Sequence, residues 1–354
     1  MIVLVVTPTK NIENYLTQTI YSVVSQAGDF ELYYHIQDGQ SSDKTVETIR
    51  KWEQTLNDSE SLYTRCSKIS FSWSSEKDGG MYDAINRGFK NLLIRWPEIS
   101  NFNPEQVVMT WINGDDILAQ GSIQTAVSIF RETTFQWLTG IPSQIREDGA
   151  IIDTRDSPCC YSRDLLAQGL NDGRNFHFVQ QEGTYWRQSL WQLAGPLDSS
   201  FKLAGDWDLW KRFAVFSELV TVRGVLALFR RHSEQLSRQI ESYYEEIDSV
   251  AETEGFTYYI SREFNLEEKY FGTVIRLYGE ASNWLLSENK VIRLNAESDI
   301  HRLESELSRV KAGLQTTQAE LQTTQAELEA MRSSKFWKMR QLWINTKSYI
   351  GLDS

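Results

Sequence analysis

The chain has 354 residues, enough for one large domain with an appendage or for two modest domains. Its formal net charge of -12 weighs against nucleic acid as the main partner, because neutralising a phosphate backbone requires a basic surface. The N-terminal segment lacks the pattern of a signal peptide, and no stretch approaches the roughly 20 apolar residues of a membrane span. With three cysteines interpreted as free thiols, these features predict a cytoplasmic protein.

The first third of the chain alternates apolar strand patterns with helix patterns. The predicted strands are Ile2–Val6, Glu31–Gln37, Ile69–Trp73 and Val107–Ile112, and the predicted helices are Asn14–Gln26, Thr45–Trp52 and Met81–Trp96. This alternation predicts a doubly wound α/β sheet. Polar clusters follow the strands, and open α/β sheets bind ligands outside the carboxyl ends of their strands.

The middle of the chain is less regular. Gln136–Ile141 is predicted as a strand and Asp206–Phe216 as a helix. Leu219–Val222 and Val225–Phe229 are predicted as a short strand pair, and Glu241–Trp284 as mostly helical.

Apolar residues from Ile300 to Met331 are spaced alternately by three and four, which predicts a coiled coil over 296–334 and hence self-association. The alternative is a solvated single helix. The tail, 335–354, mixes aromatic with basic residues, a composition suited to peripheral contact with an anionic membrane. Its tryptophans would otherwise dock on the protein itself.

Two adjacent carboxylates, Asp115 and Asp116, close the strand that ends at Ile112. Such a pair offers hard oxygen ligands to Mg²⁺ or Mn²⁺, ions that keep waters and bridge to substrate phosphates. The alternative is an ordinary turn, because Asn, Gly and Asp are all turn formers.

Four further features carry polar chemistry. Asp38 ends the second strand and suits a base imide or a ribose hydroxyl, but an Asp-Gly turn explains it equally. The charged, glycine-containing loop Ser75–Gly80 precedes a helix. Asp206 opens another helix, where it suits a general base or simply complements the helix dipole. Arg230–His232 follows a strand, and an imidazole there is either a metal ligand or structural.

Taken in chain order, these features resemble the family 2 glycosyltransferases of GT-A fold, and among them the bacterial enzymes that build surface polysaccharides. The resemblance covers about residues 1–235, and the region 236–295 after it is interpreted as a helical extension. The matching segments are Thr7–Thr9, Asp38–Thr45, Ser75–Gly88, Asn113–Asp116, Gln181–Arg187, Leu203–Trp210 and Arg231–His232.

The resemblance implies a Rossmann-like mixed sheet flanked by helices, and a binding site for a nucleotide-sugar donor. It assigns the donor site to Thr7, Pro8, Thr9, Asp38, Asp78, Asn113 and Asp115. It also implies Mn²⁺ or Mg²⁺ held by Asp115 and Asp116, with His232 as a further ligand. One departure is Asn113, which stands where the family usually has the first Asp of its metal motif.

By the same resemblance, Asp206 is the base of an inverting transfer to the hydroxyl of a glycan or lipid-linked acceptor. The family often has Glu-Asp where this chain has Gly205-Asp206, so Asp208 remains an alternative base. The candidate acceptor residues are Gln181, Glu182, Trp186 and Trp207, although either Trp also suits core packing.

Two other functions fit the fold class. A nucleotidyltransferase that makes a sugar nucleotide needs a glycine-rich loop after the first strand, and Thr7–Asn11 has no glycine. An inactive scaffold that presents a coiled coil would not need intact Asp115, Asp116 and Asp206.

The C-terminal interpretation predicts the behaviour of a chain truncated after Asn295. The shortened protein should be monomeric by light scattering and should stop sedimenting with anionic vesicles, because it lacks the heptads and the basic aromatic tail. It should keep its activity on a soluble acceptor. An unchanged mass together with unchanged vesicle binding would contradict both halves of this interpretation.

Overall fold

The computed structural model describes residues 1–57, 65–154, 161–233, 235–254, 272–278, 285–291 and 335–349, with short pieces between 321 and 330. The chain divides into two compact units, Met1–Asn295 and Ala296–Ser354. In the second unit, the longest described element is a helix, α9 (Lys335–Tyr349). None of the described helices combines the length and the apolar character needed to cross a membrane.

The first unit is built on a sheet to which nine described strands belong. They are β1 (Ile2–Thr9), β2 (Gly28–Asp38), β3 (Cys66–Ser75), β4 (Val107–Trp111), β6 (Trp137–Thr139), β9 (Tyr185–Arg187), β10 (Leu219–Val222), β12 (Gly272–Tyr278) and β13 (Leu285–Val291). Their order is β13-β12-β10-β6-β9-β4-β1-β2-β3. The pairings β2–β3, β1–β2 and β1–β4 are parallel, so these four strands end at one edge of the sheet. β9 runs antiparallel between β4 and β6, so it begins at that same edge.

A smaller sheet and eight α-helices complete the described part of this unit. The small sheet has the order β5-β11-β7-β8, formed by β5 (Ile117–Leu118), β11 (Ala227–Arg231), β7 (Ser143–Arg146) and β8 (Ile151–Thr154). The helices are α1 (Leu16–Val24), α2 (Thr45–Asn57), α3 (Met81–Arg95), α4 (Ser122–Glu132), α5 (Arg163–Ala167), α6 (Gln188–Ala194), α7 (Gly205–Phe216) and α8 (Ile240–Glu254).

Two apolar layers cover the two faces of the large sheet. Val3 and Val5 of β1 pack with α1 and α4 on one face, whereas Ile2, Leu4 and Val6 pack with α3 and α7 on the other. All five side chains are at most 1% exposed, which explains why β1 reads as a continuous apolar run. The second layer is rich in aromatic rings, including Trp111, Trp137, Trp186, Trp210 and Phe213.

The predicted α/β alternation is confirmed, with element ends shifted by a few residues. Two predictions are wrong. The predicted strand pair after residue 219 does not form, because β10 joins the large sheet and β11 joins the small one. The region 236–295, interpreted as a helical extension, contains α8 but also the antiparallel pair β12–β13, which extends the sheet beyond β10.

The predicted domain boundaries fare differently along the chain. A boundary at 235/236 does not separate compact units, because α8 packs through Ile247 against Ala204 and Trp207. Most of the predicted coiled coil, including 296–320, lies outside the described residues, and 323–326 within it are helical.

One buried arginine links several chain segments by hydrogen bonds to their backbone carbonyl groups. Arg187, at the end of β9, is 4% exposed and donates to the carbonyl oxygens of Phe135, Phe130 and Thr133 at 2.7, 2.6 and 2.8 Å, and also to that of Glu105. A guanidinium is suited to this role because it presents five donors in one plane.

Replacing this arginine should therefore destabilise the fold. Arg187→Met keeps much of the volume but leaves several buried carbonyl groups without donors, which should lower the free energy of unfolding by about 3 kcal/mol or more. Urea denaturation measures the loss. The matched control is Arg231→Met, at an exposed position, which should change stability by less than about 0.5 kcal/mol. Equal midpoints for the two variants would contradict this account of Arg187.

Candidate active site

The loops that follow β1 and β2 are joined by reciprocal hydrogen bonds. The backbone N–H of Asn11 donates to the Ser41 hydroxyl at 2.8 Å, and the N–H of Ser42 donates to Asn11 Oδ1 at 2.8 Å. Asn11 and Gln40 both have positive φ, 51° and 59°. The strained backbone of these two residues is fixed by the hydrogen bonds between the loops. The two loops together form a wall of the site at the carboxyl edge of the sheet.

Asp38 is the centre of this wall. It is fully buried and accepts hydrogen bonds from the hydroxyls of Thr9, Ser41 and Ser75 and from the backbone N–H of Ser41. Its carboxylate oxygens are therefore engaged by the protein, which differs from the predicted direct contact with a base. The residue holds the ends of β1, β2 and β3 together.

The other predicted donor residues lie at the same edge. Thr7 is buried and its hydroxyl hydrogen-bonds to Tyr34 at 3.0 Å, and Pro8 is buried too. Asp78 is partly exposed and lies against Gly39, where a Cβ atom would stand 2.6 Å from Asp78 Oδ2. A side chain at position 39 would thus displace Asp78, and the glycine permits this close approach.

The segment after β4 brings Asn113, Asp115 and Asp116 to this edge. Asn113 Nδ2 donates to Asp116 at 3.3 Å and to Glu182 at 3.2 Å. Glu182 belongs to the loop that leads into β9. The departure from the family pattern thus has a physical reason: an aspartate at 113 would add a further negative charge to this cluster, whereas the amide supplies donors.

Asp116 is 1% exposed, and its oxygens already have partners. Oδ1 accepts from the backbone N–H of Arg230 at 2.8 Å, and Oδ2 accepts from Asn113. Burial raises its pKa well above the usual range, and the neighbouring Glu182 and Asp115 raise it further. Its predicted role as a direct metal ligand does not fit this arrangement, because the side chain anchors the β4 loop to β11.

Arg230 is fully buried beside this cluster, so its guanidinium is not exposed to bind the diphosphate of a donor. Its guanidinium donates to the carbonyl oxygen of Asp115 at 2.7 Å and to Gln18 Oε1 at 2.8 Å, and it lies 5.0 Å from the centre of the Tyr15 ring. The arginine therefore fixes the backbone that presents Asp115.

Asp115 is the most exposed carboxylate of the cluster, and the buried His232 lies beside it. His232 Nε2 lies 2.9 Å from Asp115 Oδ2, and the Asp115 side chain is 21% exposed. The His232 ring packs on Tyr15 with 4.9 Å between ring centres. Because Asp115 and His232 are far apart in the sequence, only the fold places the carboxylate and the imidazole side by side.

The donor set fits a divalent ion that takes its remaining ligands from substrate. Asp115 and His232 supply one oxygen and one nitrogen, and the buried Asn113 Oδ1 has no hydrogen-bond partner among the described residues. No group of three His, Cys, Asp or Glu side chains within the described part of the chain is placed to hold an ion alone. Mg²⁺ and Mn²⁺ keep waters and bind substrate phosphates, so these atoms would supply only part of the ligands of such an ion.

Glu182 links the metal-facing cluster to the predicted base. It is 7% exposed, and burial, together with the charges of Asp115 and Asp206, raises its pKa to about 7. Glu182 therefore lies near enough to both Asp115 and Asp206 to respond to the charge of each.

The structure separates the two rival bases on α7. Asp206 Oδ1 accepts from the Tyr82 hydroxyl at 3.3 Å, and burial raises its pKa to about 6. Asp208 is instead paired with Arg212, whose Nε and Nη2 lie 2.9 and 2.8 Å from Oδ2. Because Asp208 is already engaged by a guanidinium and Asp206 has no such partner among the described residues, the geometry favours Asp206.

Gly205 has a steric reason of its own. A Cβ atom at this position would stand 2.7 Å from the Tyr82 ring. A glutamate in place of Gly205 would therefore displace the tyrosine that touches Asp206.

The predicted aromatic acceptor wall is wrong for both tryptophans. Trp186 is fully buried among Trp111, Trp210 and Phe213, and Trp207 is 4% exposed, with its indole N–H donating to Gly169 O at 2.8 Å. These rings are core residues because a sheet strand and the inner face of α7 carry them. Gln181 is also buried and donates to the Trp111 carbonyl at 2.8 Å.

The two adjacent aspartates should differ in their effect on stability. Asp116→Ala leaves the buried N–H of Arg230 without its acceptor, so it should lower the free energy of unfolding by about 1–3 kcal/mol. The more exposed Asp115→Ala should cost less than about 1 kcal/mol. Urea denaturation at pH 5 is the suitable measurement, because protonation of carboxyl groups in the cluster then reduces the repulsion between their negative charges. A larger loss for Asp115→Ala would contradict the anchoring role of Asp116.

Comparisons with known proteins bear on the first half of this site. Residues 4–152 match the family model described as glycosyl transferase family 2. A search of curated proteins finds no match for the chain.

Solved structures to which the chain is similar include Staphylococcus aureus TarS 1–349 in complex with UDP-GlcNAc, at 14% identity and a TM-score of 0.49, covering 71% of this chain and 66% of that one. The mannosyltransferase PcManGT from Pyrobaculum calidifontis, in complex with GDP-Man and Mn²⁺, is 14% identical with a TM-score of 0.42, covering 70% and 64%. The chain thus spans just under two thirds of the length of each. The family match covers residues 4–152, and the fold is the predicted GT-A type, a mixed sheet flanked by helices.

Proposed function

We propose that this protein is an inverting glycosyltransferase that moves one sugar from a nucleotide-diphosphate donor to an acceptor hydroxyl. The observation that carries the proposal is the placement of two chemically different carboxylates near Glu182. Asp115 lies beside an imidazole, whereas Asp206 is partly exposed, with a raised pKa and no cationic partner among the described residues.

The donor half of the pocket is the carboxyl edge of β1 to β4. The family match covers this region, and such edges are where open α/β sheets bind nucleotides. The wall built on Asp38 supplies a preformed surface for the nucleotide base of the donor, with Asp78 beside it. Asp115 and His232 would hold the Mn²⁺ or Mg²⁺ ion. Such an ion, when bound, offsets the negative charge that develops on the leaving diphosphate.

The acceptor half is the start of α7. In this scheme Asp206 takes the proton from the acceptor hydroxyl as that oxygen attacks the anomeric carbon, and the bond to the diphosphate breaks on the opposite face. One displacement inverts the configuration and needs no covalent intermediate. A carboxylate with a pKa of about 6 is ionised at neutral pH and is a stronger base than an ordinary exposed aspartate.

Three finer parts of the proposal concern partners. The acceptor is a glycan or a lipid-linked sugar in the synthesis of a polysaccharide. The predicted coiled coil brings copies of the chain together, and α9 rests on the cytoplasmic face of an anionic membrane. Supporting the last point, Met339 and Leu342 of α9 are 60% and 67% exposed, and Lys338 and Arg340 lie on the same helix.

The proposal is tested by assaying a panel of nucleotide sugars with Mn²⁺ and simple glycan acceptors. Asp206→Asn should reduce kcat by about 10²–10⁴-fold with little change in donor affinity, because general-base help is lost in the transition state alone. In the wild type, kcat should fall as the pH drops through about 6, where Asp206 becomes protonated. Asp208→Asn is the matched control and should retain activity.

Several outcomes would count against this scheme. Loss of turnover in Asp208→Asn with normal turnover in Asp206→Asn would move the base two residues along the helix. A product with the anomeric configuration of the donor, measured by NMR, would exclude a single displacement. Release of pyrophosphate from a nucleoside triphosphate would indicate a nucleotidyltransferase instead.

A further inference from the structure

The segment that leads into α7 is held by a residue from outside the family-matched region. The side chain of Glu246, on α8, accepts the backbone N–H groups of Lys202, Leu203 and Ala204 at 2.8, 2.9 and 2.9 Å. A carboxylate that accepts three backbone N–H groups makes strong, charge-assisted hydrogen bonds. It also complements the positive end of the α7 dipole.

The same segment is held from its other side by the α3 region. The Tyr82 hydroxyl donates to Leu203 O at 2.8 Å, and Lys202 Nζ donates to Gly79 O at 2.7 Å. Leu203 is thus bound through its carbonyl group to α3 and through its N–H to α8. Asp206 follows three residues later, in the first turn of the helix.

We propose that Glu246 is a positioning residue of the active site, which fixes the backbone of 202–204 and thereby the place of the Asp206 carboxylate. The inference rests on the proposed role of Asp206 as the base. It makes α8 part of the catalytic unit, although the sequence resemblance ends at about residue 235.

The contacts of α8 support this role beyond the three hydrogen bonds. Ile247 is fully buried against Ala204 and Trp207, so the helix is packed onto the segment that it binds. The neighbouring Glu245 is exposed on the same helix. One turn therefore offers a bound glutamate and a matched free-standing one.

The electrostatic surroundings of Asp206 give a second readout. The groups that face it are the Tyr82 hydroxyl from α3, Glu182 from the loop before β9, and Tyr243 and Glu246 from α8. The charge of Glu246 raises the pKa of Asp206, after the larger effect of burial. Removing that charge should therefore lower the pKa of Asp206.

The test compares Glu246→Ala and Glu246→Gln with the control Glu245→Gln in the full chain. Hydrogen exchange of the Leu203 and Ala204 amides should become about 10- to 100-fold faster in Glu246→Ala, the factor expected when a hydrogen bond to a charged group is lost. Glu246→Gln keeps one acceptor oxygen and should give a smaller increase. Glu245→Gln should match the wild type, and equal exchange in all forms would overturn the inference.

Turnover distinguishes positioning from a purely structural contact. With a nucleotide sugar that the wild type uses, Glu246→Ala should lose about 10- to 100-fold in kcat with little change in donor KM, because a displaced base slows the chemical step. In Glu246→Gln the acid limb of the kcat profile should move to lower pH. Faster exchange with kcat and pH profile equal to those of Glu245→Gln would leave a structural role and overturn the positioning role.

The failure of the proposed function would look different. A wild type that turns over no nucleotide sugar in the panel would contradict the transferase assignment itself. The positioning role of Glu246 is then judged by amide exchange and by the pH titration of the Asp206 carboxyl group in NMR, neither of which needs a substrate. An Asp206 pKa identical in the wild type and Glu246→Gln would count against the inference.

Discussion

The burial of several carboxyl groups at one edge of the large sheet is the constraint on which the rest of the site depends. Asp116 and Glu182 are buried and Asp206 is partly exposed, and burial is the largest cause of the raised pKa of each. A buried charge without partners is very costly, so each group must share a proton or find donors. The neighbouring residues serve this need: Asn113 supplies an amide and Tyr82 a hydroxyl.

That constraint divides the acids by role. Asp116 and Asp38 are engaged by the protein and hold loops in place, whereas Asp115 faces outward beside His232. Asp206 accepts from the Tyr82 hydroxyl at 3.3 Å, and its pKa is raised to about 6. The proposed chemistry uses the carboxylates that are not committed to holding loops, as expected of preorganised sites.

The two halves of the pocket owe their rigidity to different devices. On the donor side, reciprocal bonds between the loops after β1 and β2 fix a strained backbone. On the acceptor side, α3 and α8 grip the segment before α7 from opposite sides through Tyr82 and Glu246. Glu182 lies between the halves, and the charges of Asp115 and Asp206 both raise its pKa.

The sequence by itself determined the α/β alternation, the edge of the sheet that carries the site and most of the polar residues there. These follow from local patterns: apolar runs such as Ile2–Val6 and polar residues at strand ends. Only the tertiary structure decided which acidic side chains are engaged by the protein. Asp115 and Asp116 are equivalent neighbours in the sequence, but the backbone N–H of Arg230 binds the carboxylate of Asp116. It also buried Trp186 and brought Glu246 to the start of α7, because contacts between distant segments leave no periodic signal in the chain.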